Sequence, residues 1–123
     1  MKKIVLVITV LLMSISLSAQ EKKKNAKVSI DVDGVCVMCK GRIEKAALNT
    51  KGVKYAQWNV QTHELKLIID ERKTDVKTIQ QNVANVGHDT KAVKATKEAY
   101  DDLHGCCKYR NEEVQEDHKK EKK

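Results

Sequence analysis

The spacing of apolar positions switches repeatedly between two and three-to-four along residues 27–95. Val28, Ile30 and Val32 alternate with Ser29, Asp31 and Asp33, the period of a strand with one side in a core and the other in water. Gly34 ends that run. From Cys39 to about Asn49, Ile43, Ala46 and Ala47 fall on one side while Lys40, Arg42, Glu44 and Lys45 occupy the others, which predicts an amphipathic helix stopped by Gly52. Residues 53–60 read as a second strand carrying the only tryptophan, Trp58; Gln61-Thr62-His63 turns the chain back, and Leu65, Leu67 and Ile69 alternate in a third. Val76, Ile79, Val83 and Val86 recur at spacings of three, four and three, a second helix with Thr74 as its cap, Asp75 in its first turn and Gly87 at its stop. Residues 89–95 complete the series as a short fourth strand.

The order β-α-β-β-α-β is that of the split βαβ, ferredoxin-like unit. It predicts an α+β sandwich: an antiparallel four-stranded sheet with two helices on one face. A domain of this size buries only about 60% of its unfolded surface, so its core is small and a metal or a disulfide matters to it. Around the domain at 27–95, residues 20–26 read as a flexible leader, 96–110 as an extension holding Cys106-Cys107, and 111–123 as a tail. Nine of those last thirteen residues are charged, a composition that predicts no regular structure.

The amino terminus adds a location. Lys2 and Lys3 precede an apolar run from Ile4 to Met13 broken only by Thr9, and Ser16-Leu17-Ser18-Ala19 supplies small residues for cleavage. Residues 1–19 therefore read as a secretory signal peptide, and the expected compartment is the periplasm or the medium outside the cell. The run is too short to span a bilayer, and no Cys follows the cleavage point to carry lipid, so no stable membrane anchor is expected once the signal is removed.

Composition narrows the function. The 123 residues hold 24 Lys plus Arg against 17 Asp plus Glu, with no Pro and no Phe. That is one small domain, which excludes a large enzyme with a deep cleft; no catalytic role is assigned to any residue. The net charge of +7 is not interleaved with aromatic residues, and export argues further against a nucleic-acid partner. All four cysteines lie in the exported part, where an even count predicts disulfides by default.

Cys36-Val37-Met38-Cys39 lies where the first strand hands over to the first helix. Free N–H groups and the positive end of the helix dipole favour thiolates there, and Lys40 and Arg42 add charge. Two thiolates on one loop bind a soft cation. Cu(I) accepts two or three sulfur ligands whereas zinc takes four ligands, so the pair leans towards Cu(I) or mercury, with silver and zinc as further thiolate-binding metals.

The strand ending in Gly34, the Cys36 and Cys39 pair, Ile43-Glu44-Lys45-Ala46, Gly52-Val53 and Val86-Gly87-His88-Asp89 together resemble the heavy-metal-associated domain. That family is shared by copper chaperones, the amino-terminal domains of copper pumps and the periplasmic mercury-binding protein. The family's usual loop is Gly-Met-x-Cys-x-x-Cys; here Gly34-Val35-Cys36 sets the glycine one residue closer. The resemblance implies that Val35 takes the buried place of the family's methionine, that Met38 is an exposed loop residue, and that His88 lies beside the metal as a third ligand or a group supporting one. It also implies metal exchange with a protein partner such as a copper transporter, or a dimer bridged by metal.

Cys106-Cys107 admits three readings. The eleven residues from Ala95 span about 36 Å extended or about 16 Å as helix, so the pair can return to the loop and close the Cys36 and Cys39 site. It can also form a separate thiolate site or supply disulfide partners. The leading expectation is a periplasmic Cu(I) carrier or scavenger that performs no covalent chemistry on an organic substrate. The rival classes are a thiol–disulfide redox protein and a domain whose cysteines only form structural disulfides. Thioredoxin-like enzymes place a cis-Pro opposite their cysteines, and this chain has no Pro.

Overall fold

The computed structural model describes residues 21–121; the signal peptide expected over residues 1–19 lies outside them. Three strands form, β1 (Ala26–Asp31), β2 (Val53–Trp58) and β3 (Glu64–Ile69), in the antiparallel order β1-β3-β2. The predicted alternation is what the sheet uses. Ile30, Leu65, Leu67 and Ile69 are buried while Ser29 and Lys66 face solvent, and the register pairs Ile30 with Leu65, Val28 with Leu67 and Ala26 with Ile69. Each inward position thus stacks on another inward position across the sheet.

Two helices cover the apolar face. α1 (Val37–Leu48) packs on β2 and α2 (Val76–Asn85) packs on α1. Ile43 and Ala47 from the first and Ile79 and Val83 from the second are almost fully buried in one cluster with the strand residues and Trp58. α2 is capped one residue later than the sequence suggests: the Asp75 carboxylate accepts from the Thr78 amide at 2.7 Å, a stronger acceptor than the Thr74 hydroxyl. α1 has no such cap. Its N-cap is Cys36, which makes no side-chain capping hydrogen bond, and no acidic residue sits in the first turn. The positive end of α1 is left open to the cysteine sulfurs.

The fourth strand is a correction. Residues 89–95 contribute a single antiparallel bridge, Val32 with Thr90, so the described sheet has three strands. The reason is local competition for backbone groups. The Thr90 amide donates to the Val93 carbonyl at 2.8 Å, the Val93 amide donates to the Thr90 hydroxyl at 3.1 Å, and the Ala95 amide donates to the Asp89 carboxylate at 2.7 Å. The segment folds back on itself and cannot run along β1.

The tail also departs from expectation. After α3 (Lys97–Asp101) and a 3-10 turn (Gly105–Cys107), residues 112–120 form α4 (Glu112–Lys120). Asn111 caps it, Glu112 and Glu113 sit at its start, and His118, Lys119 and Lys120 at its end, the charge order that the helix dipole favours. Gln115 donates to the Tyr109 carbonyl and ties the helix to the extension. No helix among the described residues is long and apolar enough to cross a membrane.

Candidate metal centre

The site begins where β1 gives way to α1. A Cβ on Gly34 would lie 3.0 Å from the Trp58 ring and 3.1 Å from the Cys39 Cβ, so the loop is drawn down onto the core at a point where little but hydrogen fits. The Trp58 indole donates to the Val32 carbonyl at 3.0 Å and the His63 carbonyl at 3.2 Å, with the His63 ring stacked on it. Cys36 ends the loop half-buried, Cys39 is fully buried in the first turn of α1, and their sulfurs are 3.4 Å apart.

The extension then returns to this loop. Gly87, at φ +102°, is where it docks: a Cβ there would lie 2.7 Å from the Ala99 carbonyl oxygen and 2.9 Å from Leu103 Cδ2. Tyr109 is buried, donates its hydroxyl proton to the Gly87 carbonyl at 2.8 Å and accepts from the Asp89 amide at 2.9 Å. Arg110 holds the Asp89 carboxylate through two nitrogens, at 3.1 and 2.8 Å, and lies over the Tyr100 ring. The α2 to β1 edge therefore carries a docking platform for residues 96–110.

Through that platform the 3-10 turn delivers two more sulfurs. Cys107 is fully buried with its Sγ 3.5 Å from that of Cys36. Cys106 stays exposed, 3.9 Å from the Cys107 sulfur and 3.6 Å from the Met38 Sδ. The sulfurs of Cys36, Cys106 and Cys107 all lie within 4.8 Å of one another, and all four cysteines are free thiols. Of the readings open for the pair, the geometry brings both residues to the Cys36 and Cys39 loop.

The thiols are unequal. For Cys36, burial pushes the pKa up, but the amides of Cys39 and Met38 and the Cys39 and Cys107 thiols outweigh it, and the net shift is downward. Burial dominates at Cys39 and, more strongly, at Cys107, raising both; at Cys107 the Arg42 guanidinium opposes that rise. Of Cys36, Cys39 and Cys107, Cys36 is thus the thiol most readily ionised, with the other two sulfurs within hydrogen-bond reach of it.

His88 is not part of the sulfur cluster. It is fully buried, stacked on Tyr109, with Nδ1 2.8 Å from the Asp33 carbonyl oxygen. A carbonyl only accepts, so Nδ1 carries the proton and donates; Nε2, buried, has no partner. Burial, with the nearby Arg42 charge adding, lowers its pKa to about 4, so the ring is neutral. His88 joins the loop after α2 to the loop after β1.

Arg42 was legible only as nearby charge. Its buried Nη1 has no hydrogen-bond partner, and its charge acts on both His88 and Cys107. Met38 was read as a plain loop residue, and the roles of Tyr109 and Arg110 were not seen. Their signal was present: Tyr100, Tyr109 and Arg110 concentrate aromatic and guanidinium groups just before an otherwise polar tail.

Residues 29–89 match the sequence model of the heavy-metal-associated domain. No curated protein matches the chain. Among solved structures, the chain is similar to the CopZ metallochaperone at 26% identity and TM-score 0.51, over 53% of this chain and 98% of that one. It is similar to the N-terminal domain of a potential copper-translocating P-type ATPase from Bacillus subtilis in the Cu(I)-loaded state, at 25% identity and TM-score 0.52, over 55% of this chain and 85% of that one. The water-soluble region of the P-type ATPase CopA from Bacillus subtilis is similar at 26% identity and TM-score 0.51, over 58% of this chain but 47% of that one. The family match ends before the extension that carries Cys106 and Cys107.

Proposed function

Residues 29–89 are a heavy-metal-associated domain with the ferredoxin-like α+β fold, and from that premise we propose that the protein is an exported carrier of Cu(I), held as cargo by Cys36, Cys39 and Cys107. The observation that carries this reading is the buried Cys107 sulfur 3.5 Å from Cys36, a third thiol added to the pair within the family domain. The donor set fits a soft monovalent ion: Cys36 has the Cys39 and Cys107 sulfurs at 3.4 and 3.5 Å, and the cluster it forms with Cys106 and Cys107 holds no carboxylate or imidazole. A metal bonded to three sulfurs at about 2.3 Å in a plane holds them about 4.0 Å apart. The two sulfur contacts of Cys36, 3.4 and 3.5 Å, reach that spacing by a small expansion.

Cys36 is the first donor, because its pKa is already lowered; Cys39 and Cys107 give up their protons as the ion arrives. Three thiolates around one Cu(I) carry an excess of negative charge, which Arg42, already acting on Cys107, offsets, while Lys40 is paired with Glu44. Delivery is ligand exchange: an incoming thiolate of a partner displaces one sulfur at a time. The partner class is another sulfur-bearing metal domain, such as that of a copper-translocating ATPase. Val37 and Met38, exposed beside Cys36, give such a partner an apolar rim to dock on. The signal peptide read from residues 1–19 is what supports export, with the periplasm of a two-membrane cell as the proposed compartment. No residue is assigned a catalytic task.

Joint substitution of Cys36 and Cys39 by Ser tests the proposal. Cu(I) binding in competition with a chelator is expected to be lost while the fold, followed by circular dichroism, is retained. Undiminished binding by the folded variant would overturn it.

A further inference from the structure

One Cu(I) takes two or three sulfurs, and the loop and extension together present five. They form a continuous arc. Cys39 Sγ lies 3.4 Å from Cys36 Sγ, Cys36 3.5 Å from Cys107, Cys107 3.9 Å from Cys106, and Cys106 3.6 Å from the Met38 thioether. The outer end of this arc is not core packing. Cys106 is exposed and Met38 is 48% exposed, so their contact is maintained without burial to drive it.

Resting on the Cu(I) reading above, we propose that a single chain binds two Cu(I) ions in one thiolate-bridged pair, the second held by Cys106 and Met38 together with the shared sulfurs of Cys36 and Cys107. The mutual approach of Cys36, Cys106 and Cys107 within 4.8 Å defines the second position. The contacts of Cys36 with Cys39 at 3.4 Å and with Cys107 at 3.5 Å mark the first. A thiolate sulfur keeps further lone pairs after binding one metal, so Cys36 and Cys107 serve both ions. Charge favours the addition. The first ion brings one positive charge to three thiolates; the second brings one more and recruits one more thiolate, Cys106, which releases one proton, so the net charge of the cluster does not change. The inner ion, with buried Cys39 and Cys107, is the retained one, and the outer ion, on exposed donors, is the one that exchanges.

The test is an anaerobic Cu(I) titration against a chromophoric Cu(I) chelator, with native mass spectrometry to count ions per chain. Two ions on the monomer are expected for the full mature chain. Cys106→Ser is expected to bind one ion, with the first affinity changed less than about threefold, and Met38→Leu to weaken the second ion at least tenfold. Both residues are exposed, so these variants test binding and not folding. One ion per wild-type chain, or two ions only in a dimer, would overturn the pair and leave the carrier standing; no bound ion at all would overturn both.

Discussion

Tyr109→Phe isolates the docking of the extension. The ring is kept, and with it the stack on His88 at 5.4 Å and the edge contact with Tyr100 at 5.2 Å. What disappears is one hydroxyl, and with it the partners of the Gly87 carbonyl and the Asp89 amide. A buried backbone group left unpaired costs about 1–3 kcal/mol, so losing both partners is expected to destabilise the docked extension by about 2–6 kcal/mol. The extension is joined to the domain at Ala95 and can open without unfolding the sheet, so the loss falls on local opening. Cys107, fully buried when docked, reports it. Its alkylation rate in the metal-free protein is expected to rise by about 30-fold at the lower figure and by up to about 20,000-fold at the higher. Urea unfolding followed by the buried Trp58 measures the domain separately, and its midpoint is expected to move far less. An unchanged Cys107 alkylation rate would refute the reasoning, because the hydroxyl would then contribute nothing to holding the extension.

Gly87→Ala attacks the same dock from the domain side. The positive φ costs an L residue about 1–2 kcal/mol, and the new methyl would meet the Ala99 carbonyl oxygen and Leu103, so Cu(I) affinity is expected to fall towards that of a Cys107→Ser variant; wild-type affinity would show that the extension adapts freely. His88 gives a pH signature. Its folded pKa, about 4, lies below the ordinary 6.5, so between those values the unfolded chain binds more protons and this residue makes stability fall as pH drops from about 6.5 towards about 4. Ring proton shifts in NMR are expected to be flat from pH 5.5 to 8, and an imidazole titration within that range would contradict the buried neutral ring.

The three strands and two main helices were legible because their apolar residues keep strict periods of two or of three and four, and burial of Leu65, Leu67, Ile79 and Val83 rewards those periods directly. The fourth strand was misread because Thr90 and Asp89 are β-compatible in pattern yet capture the amides of Val93 and Ala95 through their side chains, a competition that hydrophobic spacing does not encode. The tail helix was missed for a related reason. Composition alone reads Glu112 to Lys120 as solvated charge, whereas their order, acidic first and basic last behind an Asn111 cap, is what suits a helix.

In the site, Cys36 and Cys39 follow from sequence spacing alone. The position of Cys106 and Cys107 depends on where eleven intervening residues turn, and that is decided by tertiary contacts at Gly87, Tyr109 and Arg110. His88 is legible as a residue near the loop after β1, whereas the direction of its ring is set by tertiary contacts. The ring is held inward by the Asp33 carbonyl and Tyr109.

The claim at the centre of this account is that the first Cu(I) is bound by three sulfurs, one of them from outside the family domain. X-ray absorption at the copper K-edge, on the mature protein loaded with one equivalent, measures that coordination directly. A first shell of three sulfurs and no nitrogen, falling to two sulfurs in Cys107→Ser, is the predicted result. A two-sulfur shell in the wild-type protein, or a nitrogen ligand, would contradict it.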